Sequence, residues 1–233
     1  MTDAARGRNP PTQWRDPAQP NGIGRRASAV AVIAAVLVVV TVLGYRLDVF
    51  PVLLQSHPAP RLLPAPTKDK VLFVLYPDFP EPLADSIRNS ISAEYGLPGS
   101  ILLAAGPIDP AAWNRTRQQY GALQVVETMV RQAGPAWDER TVMIGLTTAD
   151  LYIEDVDWDW AFASRNSSGV AVISMHRMHR AMELDGGAAL IRKMIVRQLG
   201  FLAFRLPPTD DPGDLMYADV LSVRDLVHMA DHL

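Results

Sequence analysis

Few residues in this sequence are suited to acid–base or metal chemistry, and their spacing limits what they can do. There is no cysteine, which excludes disulfides, thiolate nucleophiles and cysteine-ligated zinc together. Of the five histidines, His228 and His232 stand four apart around Asp231, and one helical turn would point both imidazoles the same way, a spacing that can chelate. Only Leu233 follows them, so no third ligand comes after the pair. A solvated helix face is the favoured reading. His176 and His179 lie in Met175-His-Arg-Met-His-Arg180, just past an apolar run, where a polar surface loop explains them. His57 belongs to a proline-rich stretch. No G-x-S-x-G elbow, Walker-type glycine loop or G-x-G-x-x-G fingerprint occurs, so serine hydrolase and nucleotide chemistry have no support.

The densest charge run is Glu154-Asp-Val-Asp-Trp-Asp-Trp160. Read plainly, it is a solvated loop beside an edge strand. Read for function, it is a rim for a cation or a partner, because exposed tryptophan beside carboxylates suits recognition. Charge points the same way at larger scale. Net charge is -3, yet residues 1–26 carry five Arg against two Asp, while residues 69–233 carry fourteen Lys/Arg against twenty-two Asp/Glu. An acidic domain gains nothing by counterion release, so nucleic acid is excluded as a partner.

The elements that must position these residues follow from periodicity. Val71–Tyr76 reads as a buried strand. Leu83, Ile87, Ile91 and Tyr95 recur every four residues on a helix ended by Gly96 and Pro98. Ile101–Ala105 is a second strand. Tyr120, Leu123, Val126 and Val130 mark another helix face, stopped by Gly134-Pro135. Thr141–Leu146 and Gly169–Ser174 are further strands, with Trp158–Phe162 as an edge strand between them. Gly187–Phe204 is a long helix, and Ser222 caps a last one with Asp225 three residues on. The fold class is therefore α/β or α+β, a mixed sheet with packed helices.

Before this domain, at 71–233, the chain reads in three parts. Residues 1–26 are a basic, disordered tail. Ala27–Gly44 is an uncharged run of eighteen residues, roughly 27 Å as a helix, which predicts one N-terminal transmembrane helix. Residues 45–70 carry five prolines and read as a spacer. Arg25 and Arg26 before the span predict a single-pass anchor in the cell membrane with a cytoplasmic N terminus and an extracytoplasmic domain.

In that order of elements the second half resembles the zincin metalloproteases, and within them the archaemetzincin-like metzincins. The resemblance runs through Gln119-Tyr120, Gly145-Leu-Thr-Thr-Ala-Asp-Leu-Tyr152, Trp160-Ala-Phe162 and Val170–Ser174. It continues after the long helix in Pro212-Gly-Asp-Leu-Met216, similar to the family's Met-turn at Met216, and in Val220–Leu226. The family's zinc motif, H-E-x-x-H-x-x-G-x-x-H/D, would fall on Arg197-Gln-Leu-Gly-Phe-Leu-Ala-Phe-Arg-Leu-Pro207. Arg197 and Phe201 then replace the two His, Gln198 the Glu, Phe204 the Gly and Pro207 the third ligand. An Arg opposes a divalent cation, a phenyl ring offers no lone pair, and an amide takes no proton near neutral pH.

What the resemblance implies is a pseudoprotease, with no catalytic residue, no metal ligand and no cofactor assigned. In zincins an extended peptide adds to the edge strand, which makes Trp158, Trp160 and Phe162 the expected peptide-binding edge. The expected function is a membrane-anchored, exported, non-catalytic domain that binds a protein or peptide at the cell envelope. One alternative is a metalloprotease or other hydrolase with a relocated metal site. A second is a structural protein with no groove, the cleft being filled by Arg197, Phe201 and Phe204. For Arg197 itself the plainer expectation is an ion pair with Asp210 or Asp211 where the metal would have been.

Overall fold

Four apolar runs that read as strands join one short polar strand in a five-stranded sheet whose central strands are buried on both faces. In the computed structural model, which describes residues 62–178 and 187–233, β1 (Lys70–Leu75), β2 (Gly99–Leu103), β5 (Thr141–Thr147), β7 (Ala163–Arg165) and β8 (Val170–Ser174) pair in the order β2-β1-β5-β8-β7. All neighbours are parallel except the last pair, where β7 runs antiparallel to β8. Successive side chains alternate faces. Val71, Phe73, Leu75, Ile144 and Ile173 enter one core, while Leu72, Val74, Met143 and Val172 enter the other. Burial on both sides is why these strands are nearly continuous apolar runs.

Helices fill the two faces. The first core takes α1 (Glu81–Tyr95) through Ala84, Ile87 and Ile91, and α3 (Gly187–Leu202) through Ile191, Ile195 and Leu199. The second takes α2 (Ala122–Ala133) through Val125, Val126 and Met129. Gly96 ends α1 in the left-handed region, φ 66°, as glycine readily does. The short α4 (Val223–His228) starts on a capping box between Ser222 and Asp225. Its C-terminal end is held by a buried lysine on α3: Lys193 donates to the carbonyls of Leu226, Val227 and Met229 at 3.0, 3.2 and 2.6 Å. A cation suits the negative end of a helix.

Several expectations need correction. The helix face begins at Ala122, and Tyr120 instead sits in β4 (Gln119–Gly121), the centre of a small sheet with β3 (Trp113–Asn114) and β6 (Leu151–Tyr152). The edge strand is Ala163–Arg165. Trp158–Phe162 is a loop joined to β6 by a bridge between Ala161 and Leu151. It is shaped by side chains reaching in from elsewhere: Arg117 Nη2 donates to the Trp158 carbonyl at 3.0 Å, and Gln119 Nε2 to that of Asp159 at 2.8 Å.

The expected membrane anchor is corrected as well. Among the described residues no helix is long and apolar enough to cross a membrane. The longest, α3, has 16 residues and carries Arg192, Lys193 and Arg197. That is about 24 Å of helix interrupted by charge. The predicted span at 27–44 lies outside the described residues, as do the tail at 1–26 and the spacer up to residue 61. Single-pass topology, an exported domain at the envelope and the membrane as partner therefore have no structural support.

Candidate functional site

Three elements converge on an open cleft of about 770 Å³: the loop ending in β7, one face of α3, and the segment 208–221 that returns after α3. Met194, Arg197, Gln198 and Phe201 line it from α3. Residues three and four apart share a helix face, so these four project together. From the loop and β7 come Asp155, Asp157, Trp158, Asp159, Trp160 and Phe162, then Ala163, Ser164 and Arg165. Trp158 is 49% exposed, whereas Phe162 is buried under the Trp160 ring, with centroids 4.7 Å apart and edge to face. The residues expected to form the peptide-binding edge thus reach the cleft, as its rim and wall. The paired strand begins just after them.

Two arginines meet one aromatic ring at the floor. The Arg165 guanidinium carbon lies 3.8 Å from the Phe201 ring centre, and that of Arg197 lies 4.9 Å from the same ring. Arg197 is 7% exposed. Its Nη2 donates to the carbonyls of Tyr217 and Ala218 at 2.6 and 3.2 Å, and its Nε has no partner. The expected ion pair with Asp210 or Asp211 is replaced by these carbonyls. Burial pushes the Arg197 guanidinium down to about 10, and the like charge of Arg165 acts in the same direction. Partial desolvation also lowers Arg165, although the residue as a whole is exposed. Gln198 is 1% exposed, and its Oε1 is buried without a donor.

The remaining positions separate. Phe204 is buried against Tyr95, away from the cleft, so the groove is not plugged by it. Three residues past the end of α3, Arg205 takes a left-handed conformation, φ 54°. Pro207 is exposed, and its neighbour Pro208 lines the cleft instead. Met216 is fully buried beneath α3, with its Sδ 2.5 Å from where a β-carbon on Gly200 would stand.

These residues do not fit a divalent metal. A buried guanidinium and a phenyl ring occupy the cleft face of α3, and the orphaned atoms beside them are one N–H donor and one amide oxygen. Among the described residues, no group of three or more His, Asp or Glu side chains is placed to hold a metal ion. The relocated site expected as an alternative does not form there: α4 stops at His228, so His232 is off the helix, and Asp231 pairs with Lys193 at 3.1 Å. His176 Nδ1 lies 3.1 Å from the Thr148 carbonyl. His57 and His179 lie outside the described residues.

Sequence reasoning missed two fixtures of the rim. Glu154, first of the acidic run, accepts from the amides of Leu123 and Gln124 at 3.1 and 3.2 Å. It caps α2 from a distance, because the N-cap residue, Gly121, has no side chain to do so. Asp150 is bound by Arg177 Nε at 3.0 Å and by Gln119 Nε2 at 3.1 Å. The rim is therefore fixed by long-range polar contacts, which leave no periodic trace in the sequence.

No protein-family model matches the sequence, and no curated protein matches it. Solved structures do. A zinc-dependent peptidase from Methanocorpusculum labreanum (strain Z) superposes with a TM-score of 0.59 at 22% identity, over 70% of this chain and 95% of that one. Archaemetzincin from Archaeoglobus fulgidus, solved with malonate, gives 0.57 at 16% identity over 70% and 94%. Archaemetzincin from Methanopyrus kandleri gives 0.56 at 19% over 76% and 92%. Similarity at such identities speaks to architecture, and on that footing this chain has an archaemetzincin-like fold.

Proposed function

We propose that the domain is a non-catalytic relative of this fold whose cleft binds an extended peptide along β7 and releases it uncut. The observation that carries this reading is the free edge of β7. On its inner side, Ser174 N–H donates to the Phe162 carbonyl at 2.8 Å and Asn166 N–H to that of Val170 at 2.9 Å. In an antiparallel ladder alternate residues pair, so Ala163 and Arg165 turn their amide and carbonyl groups to the cleft side. An incoming strand can use them. Trp158 and Trp160 stand at the rim, where aromatic side chains supply contact area at low entropic cost.

The non-catalytic half of the proposal rests on residue chemistry. With Arg197, Gln198, Phe201 and Pro207 at the positions that the resemblance gives to the zinc motif, the cleft holds neither a metal-ligand set nor a carboxylate base on α3. Affinity capture of a mixed-sequence peptide library, read by mass spectrometry, tests both halves. Peptides retained at full length are expected. Shortened products that disappear with chelator, or no retention at all, would overturn the reading.

A further inference from the structure

We propose that Arg165 and Arg197, gathered on the Phe201 ring, receive the free C-terminal carboxylate of a peptide lying along β7. This rests on the peptide-binding reading above and specifies which end of the peptide the cleft takes.

Both arginines lack a counter-charge among the described residues: neither forms an ion pair, although the same domain pairs Arg140 with Asp69, Arg177 with Asp150 and Arg192 with Glu94. Two like charges have instead been drawn to one ring, 3.8 and 4.9 Å from its centre. Ring stacking offsets part of their repulsion, but it does not neutralise them. Arg197 is buried, anchored at Nη2 by two carbonyls, and has an orphaned Nε. A guanidinium held in place loses little freedom on engaging a carboxylate, and its planar fork matches the two oxygens.

The rest of the cleft restricts what else the ligand can carry. Its rim carries Asp155, Asp157 and Asp159, which repel a polyanion approaching along the groove. A single negative charge at the arginine end, carried by a chain that is neutral or basic where it passes the aspartates, meets both regions favourably. Arg165 is the last residue of β7, so the guanidinium cluster stands where the pairing edge ends, and a peptide running parallel to β7 would bring its C terminus beside it.

The test uses the full chain and N-terminally labelled, mixed-sequence octapeptides in two pools, one with a free C-terminal acid and one amidated, followed by fluorescence anisotropy. The acid pool is expected to bind at least tenfold more tightly. Arg165→Gln, which removes an exposed side chain that makes no hydrogen bond, should cut that ratio to near one while leaving the melting temperature unchanged. Arg197→Gln should also cut the ratio to near one, but at a lower melting temperature, because it removes the bonds to the Tyr217 and Ala218 carbonyls. Equal binding of the two pools would overturn the carboxylate site and leave the peptide-binding reading standing. Failure of both pools would overturn both. Displacement of the acid pool by inorganic phosphate at concentrations where acetate has no effect would show a phosphate site and overturn the proposal.

Discussion

Arg197 Nη2 donates to the backbone carbonyl of Tyr217 at 2.6 Å, so a cation on α3 fastens the segment that returns beneath the helix. A charge-assisted bond of this kind contributes roughly 1.5–3 kcal/mol. Arg197→Ala removes it together with the contact to Ala218. The expected loss is about 1–3 kcal/mol, since water can reach part of the exposed segment. Denaturant unfolding measures it, and a variant as stable as the parent would show that the fastening contributes little.

Gly200 faces Met216 so closely that an added methyl would meet its Sδ at 2.5 Å and Leu233 Cδ2 at 2.9 Å. Both are ends of flexible side chains, but Met216 is fully buried. Gly200→Ala should therefore destabilise the domain by about 1–3 kcal/mol through overpacking. Combining it with Met216→Ala should give less than the sum of the two single losses, because the new methyl occupies space the thioether has left. A double-mutant cycle reads this coupling. Additive losses would place the strain elsewhere.

The free edge of β7 predicts how proline acts there. Proline is tolerated at sheet edges where its missing N–H faces outward. Ala163→Pro should thus preserve most of the stability while weakening peptide binding about tenfold, the cost of one main-chain hydrogen bond and its geometry. Ser164→Pro, on the inner register opposite Val172, should instead destabilise the sheet. The contrast in melting temperature separates the two positions.

These positions also show how much of the molecule the sequence discloses. The four-residue recurrence of Leu83, Ile87 and Ile91, stopped at Gly96, and the Ser222–Asp225 box each state a helix locally, and both helices are present. The apolar runs of β5 and β8 are equally plain because both faces are buried. The cleft is different. Trp158-Asp-Trp160 alternates like a strand, yet contacts from Arg117 and Gln119, some forty residues away, hold it as a loop. The true edge, Ala163-Ser-Arg165, is too short and polar to show a period. The partners of Arg197 are backbone carbonyls, and carbonyls have no sequence signature. Arg197, Gln198 and Phe201 could be placed on one helix face from spacing alone, but the approach of Arg165 to them depends on sheet topology.

Binding of a peptide carboxylate should follow the charge of Arg197. Burial pushes its pKa down to about 10, below the ordinary guanidinium range, so the side chain is charged below that pH and loses its proton as pH rises through it. A C-terminal carboxylate is ionised above about 3.5. Affinity for the acid pool should be flat between about pH 5 and 9 and fall as pH rises through about 10. Without ligand the sign of the stability effect is opposite. The depressed value means the buried charge costs stability at neutral pH, and the cost is relieved as pH rises above about 10, where only the unfolded chain keeps the proton. Anisotropy and thermal unfolding across that range report the two trends separately.

The most direct test of a peptide-binding cleft without zinc chemistry is metal content, measured on the full chain after dialysis against zinc and then against buffer, with thermal unfolding in the presence and absence of chelator. A bound metal stabilises the folded state by mass action, and its removal lowers the melting temperature. Substoichiometric zinc and superimposable unfolding curves are the predicted result. Stoichiometric zinc, a chelator-dependent fall in melting temperature and peptide cleavage lost on chelation would contradict it.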